Sequence, residues 1–139
     1  MVQLVVGKKG KGKTKHLLDK VNAEVQNVSG NIVYLDKNTK HMYELNNKIR
    51  LIDVSSYLVT NADEFVGFIS GIISQDHDLE QMYFDSFLKI ACVEEGHIEP
   101  VLLKLEKISE AFKITFVISI SMDEGELPAS VRDKVIISL

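Results

Sequence analysis

Residues 7–14 read Gly-Lys-Lys-Gly-Lys-Gly-Lys-Thr and match the pattern G-x-x-x-x-G-K-[ST] in full. The chemistry this spacing serves is the gripping of a phosphate chain. Gly7 lets the backbone turn sharply, and Gly10 and Gly12 allow conformations barred to residues with a Cβ. Bare backbone N–H groups can then wrap a phosphate at the positive end of a following helix. Lys13 should reach β- and γ-phosphate oxygens, which makes it the first catalytic candidate, and the Thr14 hydroxyl should ligate Mg²⁺. The phosphate-binding set is Gly7, Gly10, Lys11, Gly12, Lys13, Thr14 and Lys15. The extra ammonium groups of Lys8, Lys9 and Lys11 are assigned no individual contact.

Such a loop needs a second element, a hydrophobic strand ending in an acid that holds Mg²⁺ through water. Leu79-Glu80-Gln81-Met82-Tyr83-Phe84-Asp85 fits best, with Asp85 at the carboxyl end, where α/β sheets place their ligands. The competing role for Asp85 is to cap the next helix. Asp36 and Asp53, also at strand ends, are its rivals for the metal.

The elements that must position these groups follow from hydrophobic spacing. Val2–Val6 is an apolar strand, and Lys13–Asn27 a helix with Leu17, Leu18, Val21 and Val25 on one side. Strands are predicted at Asn31–Asp36, Ile49–Val54, Leu79–Asp85, Ile114–Ser121 and Lys134–Ser138. Helices are predicted at Asp63–Gln75, weakened by its glycines, and at Val101–Phe112. In the latter Val101, Leu102, Leu105, Ile108 and Phe112 should face a sheet. The polar segment Lys37–Lys48 is predicted as a loop or short turn. Alternation of this kind favours crossovers between parallel strands. With no repeat and no linker, residues 1–139 are predicted to form one three-layer α/β domain with a mostly parallel sheet.

Composition narrows the function classes. The chain is 45% hydrophobic and 26% charged with formal net charge −4, ordinary values for a globular domain. Five lysines and no acid fall in the first fifteen residues, leaving 11 basic against 20 acidic residues elsewhere. That acidic body disfavours general nucleic-acid binding, while the lysine cluster marks one compact polyanion site. No apolar run reaches the ~18–20 residues needed to cross a bilayer, and the amino-terminal stretch lacks a signal peptide's basic region. The single cysteine, Cys92, reads as a small buried residue and excludes an internal disulfide. A cytoplasmic location is expected. His16, His41, His77 and His97 show no zinc-ligand spacing.

The amino-terminal loop, the acid at Asp85, and Ile114–Ser121 followed by Glu126-Leu127-Pro128-Ala129-Ser130-Val131-Arg132 resemble the RecA-like P-loop ATPase core of RecA/KaiC type. The chain is similar to small stand-alone bacterial ATP-binding proteins. That resemblance implies a catalytic acid at Asp36, because Ser86 stands where many members place a glutamate after the metal-binding aspartate. It further implies a γ-phosphate sensor at Ser119 or Ser121. Asp36 could equally start a turn, and the serine hydroxyls could satisfy local backbone. Arginine is limited to Arg50 and Arg132, so an isolated monomer should turn over weakly. Arg132 could act on a neighbour's nucleotide in a homo-oligomer. The expected function is ATP binding with weak Mg²⁺-dependent hydrolysis or a nucleotide-dependent switch. ATP is preferred over GTP because no Asn-Lys-x-Asp segment occurs. The alternatives are a small-molecule or nucleotide kinase, disfavoured by the missing lid arginines, and a non-enzymatic partner module ordered by nucleotide.

Overall fold

The computed structural model describes residues 1–139. Six strands run Val2–Val6 (β1), Asn31–Asp36 (β2), Ile49–Asp53 (β3), Leu79–Phe84 (β4), Thr115–Ile120 (β5) and Val135–Ser138 (β6). Four α-helices span Lys13–Glu24 (α1), Ala62–Ser74 (α2), Phe87–Ile90 (α3) and Ile98–Phe112 (α4). The strands form one sheet in the order β3-β2-β4-β5-β1-β6, and every pairing is parallel. Interior strands β2 and β5 are buried at every position but the first, whereas the edge strands β3 and β6 are only partly buried. Burial on both faces explains why the interior strands read as continuous apolar runs.

The two faces are covered unequally. α2, α3 and α4 pack on one face over a cluster of 26 buried residues, including the aromatic group Phe65, Phe84, Phe87 and Phe116. On the other face α1 contributes Leu17, Leu18 and Val21 to a cluster of nine. The connection from β2 to β3 helps cover that face. It contains a 3₁₀ turn at Met42–Glu44 and is pinned to α1 where Asn22 Nδ2 donates to the Glu44 carbonyl at 2.8 Å. The architecture is a three-layer α/β fold.

Helix limits have local causes. Asn61 caps α2, its side chain accepting from the Glu64 N–H at 2.8 Å. α4 begins at Ile98, three residues before the predicted start, because Pro100 falls in the first turn, where N–H groups lack intrahelical partners anyway. Phe112, predicted to face the sheet, is instead 60% exposed. The helix ends there and Lys113 turns left-handed at φ 56°, while Ser109 takes the inward position and donates to the Ile114 carbonyl. Cys92 departs from expectation too. It is exposed, at φ 53° just beyond α3, with Sγ 3.4 Å from the Val59 carbonyl oxygen. Four residues of α3 are too few for helical spacing to reveal, and sequence periodicity passed over them.

Candidate functional site

The carboxyl ends of β1, β5, β4 and β2 line up along one edge of the sheet, and the candidate residues gather there. The connection leaving β1 feeds α1 on one face. The segment leaving β5 packs on the opposite face through Met122, Leu127 and Val131, so a crevice opens between them. Open α/β sheets bind ligands in such a crevice.

The loop after β1 takes the conformation that its glycines permit. Gly12, at φ 93°, caps α1 in the left-handed region, with nothing within 4 Å of where a Cβ would lie. Gly10 has φ 88°. Gly7 is needed for a different reason, since a Cβ there would meet the Leu139 Cβ at 2.9 Å. Its N–H donates to the Met122 carbonyl at 2.8 Å, tying the loop's start to the end of β5. The Lys8 ammonium pairs with Glu126 at 2.5 Å, and the Lys11 N–H donates to the Lys8 carbonyl at 3.3 Å. Lys15 is engaged on the α1 surface with Asp19 at 3.3 Å.

Lys13 is the one lysine of the loop that is buried, 8% exposed. Its Nζ donates to the Lys8 carbonyl oxygen at 3.1 Å. Desolvation pushes its pKa down, and the Asp85 charge opposes that shift. A buried ammonium with only a carbonyl for a partner has donor capacity to spare.

Asp85 is 2% exposed and anchors a network that draws hydroxyl donors from α1, β2 and β5. Its Oδ1 accepts from Thr14 Oγ1 at 3.2 Å and from Ser119 Oγ at 3.0 Å. Its Oδ2 accepts from the Tyr34 hydroxyl at 2.8 Å. Burial, and then the charge of Asp85, drive the Tyr34 pKa far upward, so the phenol stays a donor. Ser119 Oγ in turn accepts from the Ser86 N–H at 3.1 Å. Ser86 itself sits at φ 56°, turning the chain out of β4 into α3.

Asp36 is also 2% exposed. Its Oδ1 accepts the Lys37 N–H at 2.7 Å, while Oδ2 is buried with no partner in the protein. Burial, reinforced by the neighbouring charge of Asp85, pushes its pKa up to about 6. Asp53, the other rival acid, is committed to its own turn, accepting from Ser55 N–H at 3.0 Å and Ser55 Oγ at 2.6 Å. Arg132 is likewise occupied at home, donating to the carbonyls of Leu127 at 3.0 Å and Gly125 at 2.8 Å.

A cleft of about 330 Å³ is lined by Gly10, Lys13, Thr14, Asp85, Ser119 and Ser121 among others, while Asp36, Asp53 and Arg132 are not on its wall. Lys37 and Lys89 form part of the same wall. No cluster of three or more His, Cys, Asp or Glu side chains suited to a metal occurs in the chain. No helix is long and apolar enough to cross a membrane.

No family model matches the sequence, nor does any curated protein. Solved structures do match. A KaiC-like protein from the hyperthermophilic archaeon Pyrococcus horikoshii OT3 aligns over 85% of this chain with a TM-score of 0.61 and 23% identity. The fold is KaiC-like. This chain covers 61% of that protein's length.

Within this KaiC-like fold, sequence reasoning passed over Tyr34, Lys37 and Lys89. Tyr34 lies within the apolar run of β2, and a tyrosine buried in an interior strand must find a partner for its hydroxyl. The pairing of β2 with β4, which aligns Leu35 with Phe84, brings that hydroxyl to Asp85, and no local pattern records such a register. Lys37 and Lys89 are far apart in sequence and meet only through the strand order.

Proposed function

We propose that this chain binds Mg-ATP in the cleft over residues 7–14 and hydrolyses it slowly, serving as a nucleotide-dependent switch. The observation that carries the reading is the Thr14–Asp85 hydrogen bond. It joins the first turn of α1 to the end of β4 and brings the hydroxyl and the carboxylate expected to share a cation to one point of the cleft. The KaiC-like fold supports the reading at the level of architecture alone.

In this reading the N–H groups of Gly10, Gly12 and the first turn of α1 surround the β-phosphate, where free donors and the helix dipole both favour an anion. Lys13 leaves the Lys8 carbonyl and neutralises charge on the β- and γ-phosphates. The donor set suits Mg²⁺, a hard cation that takes one or two protein oxygens and completes its shell with phosphate and water. Thr14 Oγ1 and Asp85 would hold it. The ion, when bound, supplies neutralisation of the charge developing between the β- and γ-phosphates. Tyr34 and Ser119 are positioning residues that fix the Asp85 carboxylate. Asp36 acts as the base for the attacking water, its partnerless Oδ2 being the acceptor. Ser121, on the cleft wall, is the candidate γ-phosphate sensor. With both arginines outside the site or locally bonded, lysine is the only cationic side chain left to meet transition-state charge beside the ion, and slow turnover is expected.

Isothermal titration tests the reading directly. Mg-ATP should bind once per chain, Lys13→Ala should weaken binding at least tenfold, and Thr14→Ala should remove the dependence on Mg²⁺. Absence of heat with the parent protein, or equal affinity after Lys13→Ala, overturns it.

A further inference from the structure

Beyond the phosphate cleft, on the side of β2 and β3, lies a second cavity of about 220 Å³. Its walls are Val54, Tyr57, Val59 and Ile90, and it shares Lys37 and Lys89 with the first cavity. The two hollows are therefore neighbours, with Lys37 and Lys89 on the walls of both. We propose that this second cavity is a binding subsite for a small organic anion with an apolar body, an aryl or alkyl phosphate or carboxylate. Its charge would lie between Lys37 and Lys89 and its body against Tyr57 and Ile90. The inference rests on the nucleotide reading above, to which it adds a second ligand.

Three observations carry it. The first is charge without a partner. Lys37 and Lys89 enter no ion pair in the protein, and both stand on the walls of the two cavities. The positive charges of Lys37 and Lys9 depress the pKa of Lys89, which reports that like charges converge here. Mutual repulsion of this kind is relieved by a bound anion.

The second is lining. A polyphosphate needs donors along its whole length, yet past the lysines the wall turns aliphatic and aromatic. That change in chemistry fits a ligand with one charged end and suits nothing in a triphosphate. Pockets for small organic ligands combine mostly apolar walls with a few placed polar groups. Tyr57 is prepositioned as one wall, its ring tilted against Phe68 with centroids 5.3 Å apart.

The third is order along the edge. Reading across the sheet, the carboxyl ends run from the loop after β1, through Ser119 and Asp85, to Asp36 and Lys37, and then Val54. A nucleotide whose inner phosphates lie in the loop and whose terminal phosphate points toward Asp85 stops short of Val54 and Tyr57. The second cavity is left free beside that terminal phosphate, with Lys37 and Lys89 bordering both cavities.

Cys92 makes the test site-specific. It is the sole cysteine, exposed, and part of the second cavity's wall. Phenyl phosphate is the probe, with inorganic phosphate and phenol as its two halves, added to protein saturated with Mg-ADP. Phenyl phosphate should slow alkylation of Cys92 by iodoacetamide at least fivefold, and neither half alone should do so. Lys89→Ala and Tyr57→Ala should each abolish the protection, while Mg-ADP affinity, titrated on Tyr57→Ala, whose side chain lies outside the phosphate cleft, should change less than threefold. Two outcomes overturn the proposal: protection by inorganic phosphate equal to that by phenyl phosphate, or no protection by phenyl phosphate while Mg-ADP binds. Failure of Mg-ADP itself to bind would instead sink the nucleotide reading, so the two failures are distinguishable.

Discussion

Asp85 collects hydroxyl donors from three separate segments, Thr14, Tyr34 and Ser119, while Asp36 beside it is left with a bare oxygen. On the proposed reading, such unequal surroundings suit the two carboxylates to different tasks, one holding a cation and the other moving a proton. Asp36 carries a stability consequence with a definite sign. Its carboxyl ordinarily titrates at 3.8 and is pushed up to about 6 here, so between these values the folded state holds more protons than the unfolded state. Stability is therefore lost as pH rises across that window, by up to about 3 kcal/mol for a shift of about two units. Asp36→Asn escapes the loss. Thermal melts should show the variant gaining on the parent between pH 4 and pH 8, while its ATP turnover falls at least a hundredfold. Tyr34→Phe leaves Asp85 Oδ2 without its buried donor and should cost about 1–3 kcal/mol in urea unfolding. Weakened Mg²⁺ dependence should accompany it. At this scale the loop glycines, Lys13, Thr14 and Asp85 were legible because their spacing is local or their strand end is apolar. Tyr34 was not, because its role is set by a partner 51 residues away.

Among the elements, helix and strand identities followed from periodicity, and departures occurred where a short-range device intervened. Ser109 displaced Phe112 from the packed side of α4, and α3 is too short to show a period. The glycines that weakened the prediction of α2 mark an available gain in stability. Gly67 and Gly71 lie on the exposed side of this helix, and an added Cβ at either would meet nothing within 4 Å. Alanine at each position lowers the entropy of the unfolded chain and suits a helix, worth about 0.5–1 kcal/mol per site. Both single variants and the pair should therefore melt later than the parent, with the gains adding. A loss at either site would mean that the exposed face of α2 has a packing partner.

For the molecule as a whole, the parallel sheet was foreseeable from alternating strands and helices, whereas strand order was not. Placing β5 between β1 and β4 is a matter of long-range packing, and it is this order that sets Thr14 against Asp85. Ligand binding should then stabilise the entire chain. At a free Mg-ATP concentration a hundred times its Kd, linkage adds about 2.7 kcal/mol to unfolding, and Lys13→Ala should lose most of it at the same concentration. The unequal cladding of the sheet decides how that energy is shared. On its side of the molecule α1 is both the main apolar cover and the helix whose first turn faces the cleft. On the proposed reading, a nucleotide at its tip would therefore steady the thinner layer of the protein more than the thicker one.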